Sequence, residues 1–425
     1  MSNYYHRIAD QLLKFKLESI GAILIEGPKA CGKTTTAEQQ ASSVLYLDNP
    51  AEREQNLQLA QTDIQQLLTG PTPRLIDEWQ LAPQLWDAIR FEVDHRGYDG
   101  QFMLTGSAVP PDMSQVKHSG AGRFGWLTMR PMTLWESGES SGDVSLSSLF
   151  ADASNVAGTN HLDLQQMAFV ACRGGWPKAV IKKTERAALA QIKEYFHAIV
   201  QSDLSRVDSI NRNAERAQRV MRSYARHQGT QAAISTIKAD LHANEATSMS
   251  DNTIESYLNA MRKIFIIEDM AAWNPNLRSK TAIRTTDTRY FVDPSIATTA
   301  LGLAPSDLIN DLKTFGLVFE TLCVRDLRVY ADAMEGKVFH YRDANGLECD
   351  TVIHLPNGSY GLAEIKLGGE KLIADGAANL NKLASKIDTT RMKAPSFGMI
   401  ITAVGQRAYK RTDGILVVPI GCLKP

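Results

Sequence analysis

One stretch sets the terms for the rest of the chain: Gly27-Pro28-Lys29-Ala30-Cys31-Gly32-Lys33-Thr34, a G-x-x-x-x-G-K-T pattern. Such a pattern carries information only between a strand and a helix. Both are predicted here, the strand from the apolar run at residues 20–26 (IGAILIE) and the helix from residues 34–43. The glycines let backbone N–H groups converge on phosphate oxygens, and the start of the helix adds favourable partial charge. Lys33 is placed to reach the β and γ phosphates, Thr34 to hold Mg2+, and Thr35 to extend the polar first turn. The expected ligand is ATP with Mg2+, cradled by residues 27–35.

The next apolar run, residues 43–48 (SVLYLD), makes the opening strand–helix–strand, which implies a parallel sheet covered by helices. A lead-in helix is predicted from Ile8, Leu12, Leu13, Phe15 and Ile20 at helical spacing. Residues 73–79 (PRLIDEW) supply a further strand that ends on Asp77 and Glu78. Beside a phosphate loop, an acid at a strand end can bind Mg2+ and a neighbouring glutamate can orient or deprotonate water. Asp77 takes the metal role and Glu78 the water role. Residues 101–107 (QFMLTGS) form another strand ending in hydroxyls. In ATPases with an extra strand between the glycine-rich and acidic elements, such a hydroxyl senses the γ phosphate; Thr105 is the candidate, with Ser107 behind it. A plain Thr-Gly-Ser turn is the alternative. Residues 117–129 (KHSGAGRFGWLTM) pass from a glycine-rich loop into a strand. Arg123, or else Arg130, is a candidate finger donating charge to the nucleotide of a neighbouring subunit, against the alternative of a solvated surface cation. The serine-rich residues 136–148 read as a mobile surface loop of the same domain.

Residues 228–243 and 250–265 give two helical patterns, the second opening on Ser250 or Asp251 as its cap. Strand patterns at 265–273 and 289–292 flank a segment with Arg278, Lys280, Arg284 and Arg289. Helix, turn, capped helix and basic hairpin outline a winged helix, which commonly sets its second helix into a DNA major groove. A scaffold or protein-docking version is the alternative. A further domain begins near residue 312 with an amphipathic helix at 315–331 that bears Glu320. Strand patterns follow at 337–343, 348–355 and 360–367, the last two joined by the hairpin turn Pro356-Asn357-Gly358. Glu364 and Lys366 share one face of their strand, and Asp350 on the partner strand can reach it. Carboxylates there can hold Mg2+ against a scissile phosphate while the lysine helps activate water. Asp350, Glu364 and Lys366 are therefore catalytic candidates, with Asp350 and Glu364 as metal ligands. The alternative for Glu364 and Lys366 is an ion-pair ladder.

A chain of 425 residues has room for two to four domains. Its 46 basic and 47 acidic side chains leave a net charge of -1, so any contact with nucleic acid must come from a local basic patch. Five scattered cysteines without C-x-x-C spacing suggest neither a disulfide framework nor a zinc site. No apolar run approaches the roughly 20 residues of a membrane span, and His6, Arg7 and Asp10 stand where a signal peptide needs an apolar core. The expectation is a cytoplasmic protein without a membrane segment.

In order and local wording, GPKACGKT, RLIDEW, QFMLTGS, the AGR strand, RPMTLWE (residues 130–136) and RGGWP (173–177) resemble the bacterial and archaeal AAA+ ATPases that carry a C-terminal domain of formerly unknown function. The resemblance implies ATP hydrolysis and assembly of identical subunits into a ring, hexameric in the fullest form. It also implies a helical lid at 161–207, with Arg173 as a lid sensor or Gly174-Gly175 as a plain helix stop, and a winged helix after it. Asp350 followed by Glu364-x-Lys366 is similar to the active-site signature of the PD-(D/E)XK nuclease fold; the resemblance implies Glu320 as its extra helical acid and a further metal ligand, and Lys382 as an added phosphate contact. The expected architecture is α/β: an AAA+ P-loop core at 1–160, a helical lid and connector at 161–227, a winged-helix module at 228–311 and a restriction-endonuclease-like domain at 312–425. The leading functional reading is an oligomeric ATP-driven motor on DNA with a Mg2+-dependent nuclease domain. The alternative is a nucleotide-driven switch that binds a protein partner through an inactive nuclease-like domain.

Overall fold

The computed structural model describes residues 4–106, 119–207, 210, 212–245, 248–274 and 286–425. The chain divides into two compact units, the first made of Met1–Pro131, Gln201–Arg212 and Asn259–Ile266, the second of Met132–Val200, Asn213–Leu258 and Ile267–Pro425.

Five strands build the first unit: β1 (Ala22–Glu26), β2 (Ser43–Tyr46), β3 (Arg74–Asp77), β4 (Phe102–Thr105) and β5 (Phe124–Thr128). Their order is β2-β3-β4-β1-β5 and every pairing is parallel. Strands β1, β3 and β4 are runs of apolar residues because both faces of a parallel sheet are covered; Ile23, Leu24, Leu75, Ile76, Met103 and Leu104 are all buried. Each such side chain contributes about 1.5–3 kcal/mol when removed from water. Around the sheet lie α1 (Ile8–Ser19), α2 (Lys33–Glu38) and α3 (Leu85–Arg96). Trp86 and Ile89 of α3 join Leu47, Leu68, Phe102 and Phe124 in one core, with Trp86 stacked on Phe124 at 3.7 Å. Arg7 ties the lead-in helix down through guanidinium bonds to the carbonyls of Cys31 (2.7 Å) and Arg130 (2.8 Å). Helix α2 is shorter than its sequence pattern, because the chain must turn back after Glu38 to enter β2 at Ser43.

The second unit contains a mixed sheet of β6 (Lys337–Arg342), β7 (Glu348–His354), β8 (Tyr360–Lys366), β9 (Phe397–Thr402), β10 (Arg407–Lys410) and β11 (Leu416–Pro419), extended by the short strand Gly158–Thr159. The order across it is Gly158–Thr159, β10, β11, β9, β8, β7, β6. Strands β7 and β8 form an antiparallel hairpin with Tyr360 opposite His354, and Gly358 takes φ 80° in the turn, a region that glycine enters without strain. Strands β8 and β9 are parallel, which requires a crossover; α8 (Glu370–Lys386) supplies it. Before this sheet in the chain come α4 (Ala214–Arg226), α5 (Ile234–Asn244), α6 (Asp251–Lys263, whose residues from Asn259 on belong to the first unit), two antiparallel bridges, Ile267–Phe291 and Met270–Thr288, and α7 (Leu312–Asp332). Helix α7, expected to be amphipathic, buries Phe315, Phe319, Leu322 and Leu327 and is enclosed on all sides from Thr321 to Ala331.

The serine-rich stretch departs from expectation. It belongs to the second unit and is fastened to the last residues of the chain, where Val144–Ser145 pairs in parallel with Leu423–Lys424. Ser141 N–H donates to Gly421 O at 2.8 Å and Ser140 Oγ to Leu423 O at 2.6 Å. Serine hydroxyls commonly bond nearby backbone, which makes such a stretch read as a loop; Ser137 does so here, but Ser140 and Ser145 also donate to carbonyls at the far end of the chain. Among the described residues no helix is long and apolar enough to cross a membrane.

Candidate active site

The phosphate-loop pattern lies where the sequence places it, between β1 and α2. Gly27 (φ 144°), Ala30 (φ 60°) and Gly32 (φ 108°) all adopt positive φ. A Cβ on Gly27 would run into the carbonyl oxygen of Met129, so this position admits only glycine. Gly27, Pro28 and Cys31 are buried, while Lys29 and Ala30 form the exposed tip. Lys33 is 7% exposed, and its ammonium donates to Gly27 O and Pro28 O, each at 2.8 Å. A buried cation held by neutral carbonyls of its own loop is the complement of a polyanion.

Facing the loop, the carboxyl ends of adjacent strands converge, the usual ligand position in an open α/β sheet. Asp77 ends β3 and Thr105 ends β4, directly opposite each other in register, and Thr105 is also the register partner of Ile25 on β1. Thr34 Oγ1 donates to Asp77 Oδ1 at 2.8 Å, and Thr105 Oγ1 donates to the same oxygen. The expected extra strand is thus β4, and it brings Thr105 between the loop strand and the acidic strand. Thr35 is exposed on the first turn of α2; Ser107 lies outside the described residues. Glu78 occupies the left-handed region (φ 55°), which turns its side chain out of line with the strand. Burial, and then the Asp77 charge, push its carboxyl up from the usual range. Gln80 Nε2 donates to Glu78 Oε2. Sequence reasoning missed Gln80, whose only signal is its position two residues after Glu78. The residues fit the cofactors: Lys33 and the loop amides suit phosphate oxygens, and a Mg2+ shared with those oxygens asks of the protein only a hydroxyl and a carboxylate, which Thr34 and Asp77 supply.

The arginines fall elsewhere. Arg123 precedes β5 at the opposite edge of the sheet, about 17 Å along the strands from the loop, and is ion-paired with Asp94 at 2.7 Å while 43% exposed. Arg130 is buried. In the second unit, Arg173 is buried and ion-paired with Glu139. Its neighbours RPMTLWE and RGGWP surround Arg325: Met132 N–H donates to Gly175 O, Gly175 N–H to Asp293 Oδ2 (2.9 Å) and Leu134 N–H to Asp326 Oδ2 (3.0 Å). The Arg325 guanidinium joins Asp293 (2.8 Å) and Asp326 (2.7 Å), all three fully buried. Arg289, expected on a basic wing, is instead buried against Asp269 at 2.8 Å, and Arg278, Lys280 and Arg284 lie outside the described residues.

The C-terminal candidates do come together. Lys366 Nζ lies 2.6 Å from Glu364 Oε2 and 3.1 Å from Asp350 Oδ2. Asp350 Oδ2 also accepts the Ile365 N–H at 2.7 Å, and Glu364 Oε1 accepts Asn379 Nδ2 at 2.6 Å. Tyr290 donates its hydroxyl to Glu320. Burial followed by the Asp350 charge pushes Glu320 up to about 8 and Glu364 up to about 7. Burial works against the Lys366 ammonium, but the Asp350 and Glu364 carboxylates outweigh it and keep it charged. Among the described residues no group of three or more His, Cys, Asp or Glu is arranged to hold a metal ion. Of the three ligands expected, Asp350 and Glu364 have Lys366 between them and Glu320 is engaged by Tyr290. Lys382 is exposed on α8; the α8 residue that enters the cluster is Asn379. Neither Asn379 nor Tyr290 stands out in the sequence, since each meets its partner through the fold.

Residues 20–137 match the family described as an AAA domain, residues 164–307 a domain of unknown function (DUF8612), and residues 315–423 a domain of unknown function (DUF4143). The uncharacterized proteins Rv2008c of Mycobacterium tuberculosis and Mb2031c of Mycobacterium bovis are each 22% identical over 366 residues, covering 85% of this chain and 73% of theirs. Among solved structures, the Aeropyrum pernix ORC1 protein in complex with DNA aligns with 73% of this chain and 95% of its own, at 13% identity and a TM-score of 0.26. The Drosophila ORC bound to DNA aligns with 72% of this chain and 85% of its own, at 13% identity and a TM-score of 0.19. The AAA match falls on the sheet that carries the phosphate loop.

Proposed function

We propose that this chain hydrolyses ATP in its first unit and uses the turnover to act on DNA as an oligomer, with a C-terminal domain that docks its substrate without cutting it. The observation that carries the ATPase reading is the convergence of Thr34 and Thr105 on one oxygen of Asp77, beside the buried Lys33. Lys33 and the loop amides bind and orient the triphosphate. Thr34 and Asp77 hold Mg2+, which neutralises charge on the phosphates when bound. Glu78, steadied by Gln80, orients or deprotonates the attacking water, and its raised proton affinity brings it nearer the working range of a general base. Thr105, whose hydroxyl shares that oxygen of Asp77, would sense the γ phosphate.

Arg123 is too far from the loop of its own subunit to meet that nucleotide, and its exposed guanidinium is free to meet a neighbour's once Asp94 yields it. That supports a ring, with a hexamer as its fullest form, and charge donated across the subunit interface. The DNA part rests on the outline of α5, α6 and the bridged pair of segments after them, which suits a winged helix. Burial of Arg289 and the near-zero net charge favour a second reading, a nucleotide-driven switch for a protein partner.

ATP turnover of the full chain, measured with Mg2+ and with or without single-stranded, duplex or branched DNA, tests these readings together. The expected result is DNA-stimulated hydrolysis, intact product strands on a gel, and a loss of about 100-fold or more in Lys33→Ala. Wild-type turnover by Lys33→Ala sinks the site. Absence of both stimulation and salt-dependent retention on DNA selects the switch, and nicking that disappears in Lys366→Ala overturns the non-cutting assignment.

A further inference from the structure

The phosphate loop carries a second lysine whose contact phosphate binding does not explain. Lys29 Nζ lies 2.7 Å from Asp203 Oδ1, with Lys29 48% exposed and Asp203 only 11% exposed. Both residues belong to the first unit. Asp203 closes a π-helical turn, Ile199–Asp203; single π turns inside helices concentrate at functional sites. The same turn is where the chain passes from the second unit into the first, between Val200 and Gln201, for an excursion that ends at Arg212. The excursion is closed on itself: Arg212 N–H donates to Ser205 Oγ at 3.1 Å, the Arg212 guanidinium donates to Leu204 O at 2.9 Å, and Leu204 and Val207 are buried. Lys29–Asp203 is an ion pair that joins this excursion to the loop tip.

Resting on the ATPase reading above, we propose that Asp203 reads nucleotide occupancy through Lys29. Without nucleotide, Asp203 holds the Lys29 ammonium. A triphosphate in the loop brings several negative charges within reach of the same ammonium, whereas Asp203 offers one, and those charges also repel the carboxylate. Lys29 turns to the phosphates, Asp203 is left mostly buried and unpaired, and a buried charge without a partner is strongly unfavourable. The turn at 199–203 therefore loosens when nucleotide binds, at the point where the chain enters from the other unit. Coupling of this kind is reciprocal: whatever nucleotide does to the turn, the turn does to nucleotide affinity. Asp203 is a positioning residue, acting on the nucleotide only through Lys29.

Asp203→Asn keeps the shape and removes the charge. Two readouts on the full chain test the assignment: hydrogen exchange of peptides covering residues 199–212 with and without ATP and Mg2+, and the affinity for ATP measured by equilibrium dialysis. In wild type, ATP is expected to raise exchange across 199–212. In Asp203→Asn exchange is already raised without ATP, changes little on adding it, and ATP binds about fivefold tighter or more. Lys29→Ala shows the same raised exchange without the tighter binding, since it also loses a phosphate contact. ATP binding to wild type with unchanged exchange at 199–212 overturns the role of Asp203 and leaves the ATPase reading standing, as does an Asp203→Asn variant that binds and responds like wild type. Failure of wild type to bind ATP at all overturns both.

Discussion

Each unit of the molecule sets a buried or half-buried lysine beside carboxylates near strand ends, and the two lysines are satisfied in opposite ways. Lys33 donates to neutral carbonyls of its own loop, with Asp77 engaged by two hydroxyls. Lys366 sits between Glu364 and Asp350 and balances one of their two charges. The first arrangement keeps positive charge ready for an anion that the protein itself does not contain. In the second the cation already has carboxylate partners, and Asn379 and the Ile365 amide engage the same carboxylates. Residue types that suit catalysis in both places thus differ in where each charge already goes: the Lys33 ammonium to carbonyls, the Lys366 ammonium to carboxylates.

The sharpest way to break that contrast is to remove each lysine and measure stability. Lys366→Ala leaves Glu364, 3% exposed, and Asp350 facing each other without a cation, which is expected to cost about 3–5 kcal/mol in chemical denaturation. Lys33→Ala strands no carboxylate and is expected to shift unfolding by less than about 1 kcal/mol while abolishing turnover. Comparable shifts for the two variants would mean that the C-terminal cluster is hydrated and open after all.

The next effect concerns chemistry alone. Glu78→Gln is expected to slow ATP hydrolysis roughly 100-fold in single-turnover assays, the size typical of a lost general base, with ATP still retained on the protein. Retained turnover within a factor of about two would leave Gln80 and Glu78 as a structural pair and remove the water-orienting role.

Most of the first unit was legible because its signals are local. The loop needs glycine at Gly27 for steric reasons, the strands are apolar runs, and Asp77, Glu78 and Thr105 end them, so neighbouring strands in a parallel sheet bring them to one edge. Glu364 and Lys366 were legible in the same way, from strand alternation, and the hairpin turn at Gly358 put Asp350 within reach. What the sequence could not disclose is occupancy by distant partners. Tyr290 on Glu320, Asn379 on Glu364 and Asp203 on Lys29 all join residues of different elements, and nothing in local spacing marks them. The same holds for the serine-rich segment, whose hydroxyls look like loop chemistry until Leu423 and Gly421 arrive beside them. Arg289 illustrates the opposite error: a basic residue in a hairpin was expected at the surface, and Asp269 draws it into the interior.

A pH titration tests whether the C-terminal cluster is as closed as its bonds imply. Burial and the Asp350 charge raise Glu320 to about 8 in the folded chain, whereas an unfolded glutamate titrates near about 4.3. Between those two values the folded state binds more protons than the unfolded state, so the stability gradient with pH is negative. The contribution of Glu320 is fully present below the unfolded value and is lost as pH rises toward about 8. Glu364, raised to about 7, acts in the same direction and ends sooner. Wild-type thermal midpoints are therefore expected to fall as pH is raised from about 5 to about 8.5, and Glu320→Gln, which cannot ionise, is expected to fall less, keeping only the part due to Glu364. An identical slope in the variant would show that Glu320 is already ionised at neutral pH. It would then be charged beside Asp350 and able to accept a cation, which would move the C-terminal cluster back toward the open class that Lys33 represents.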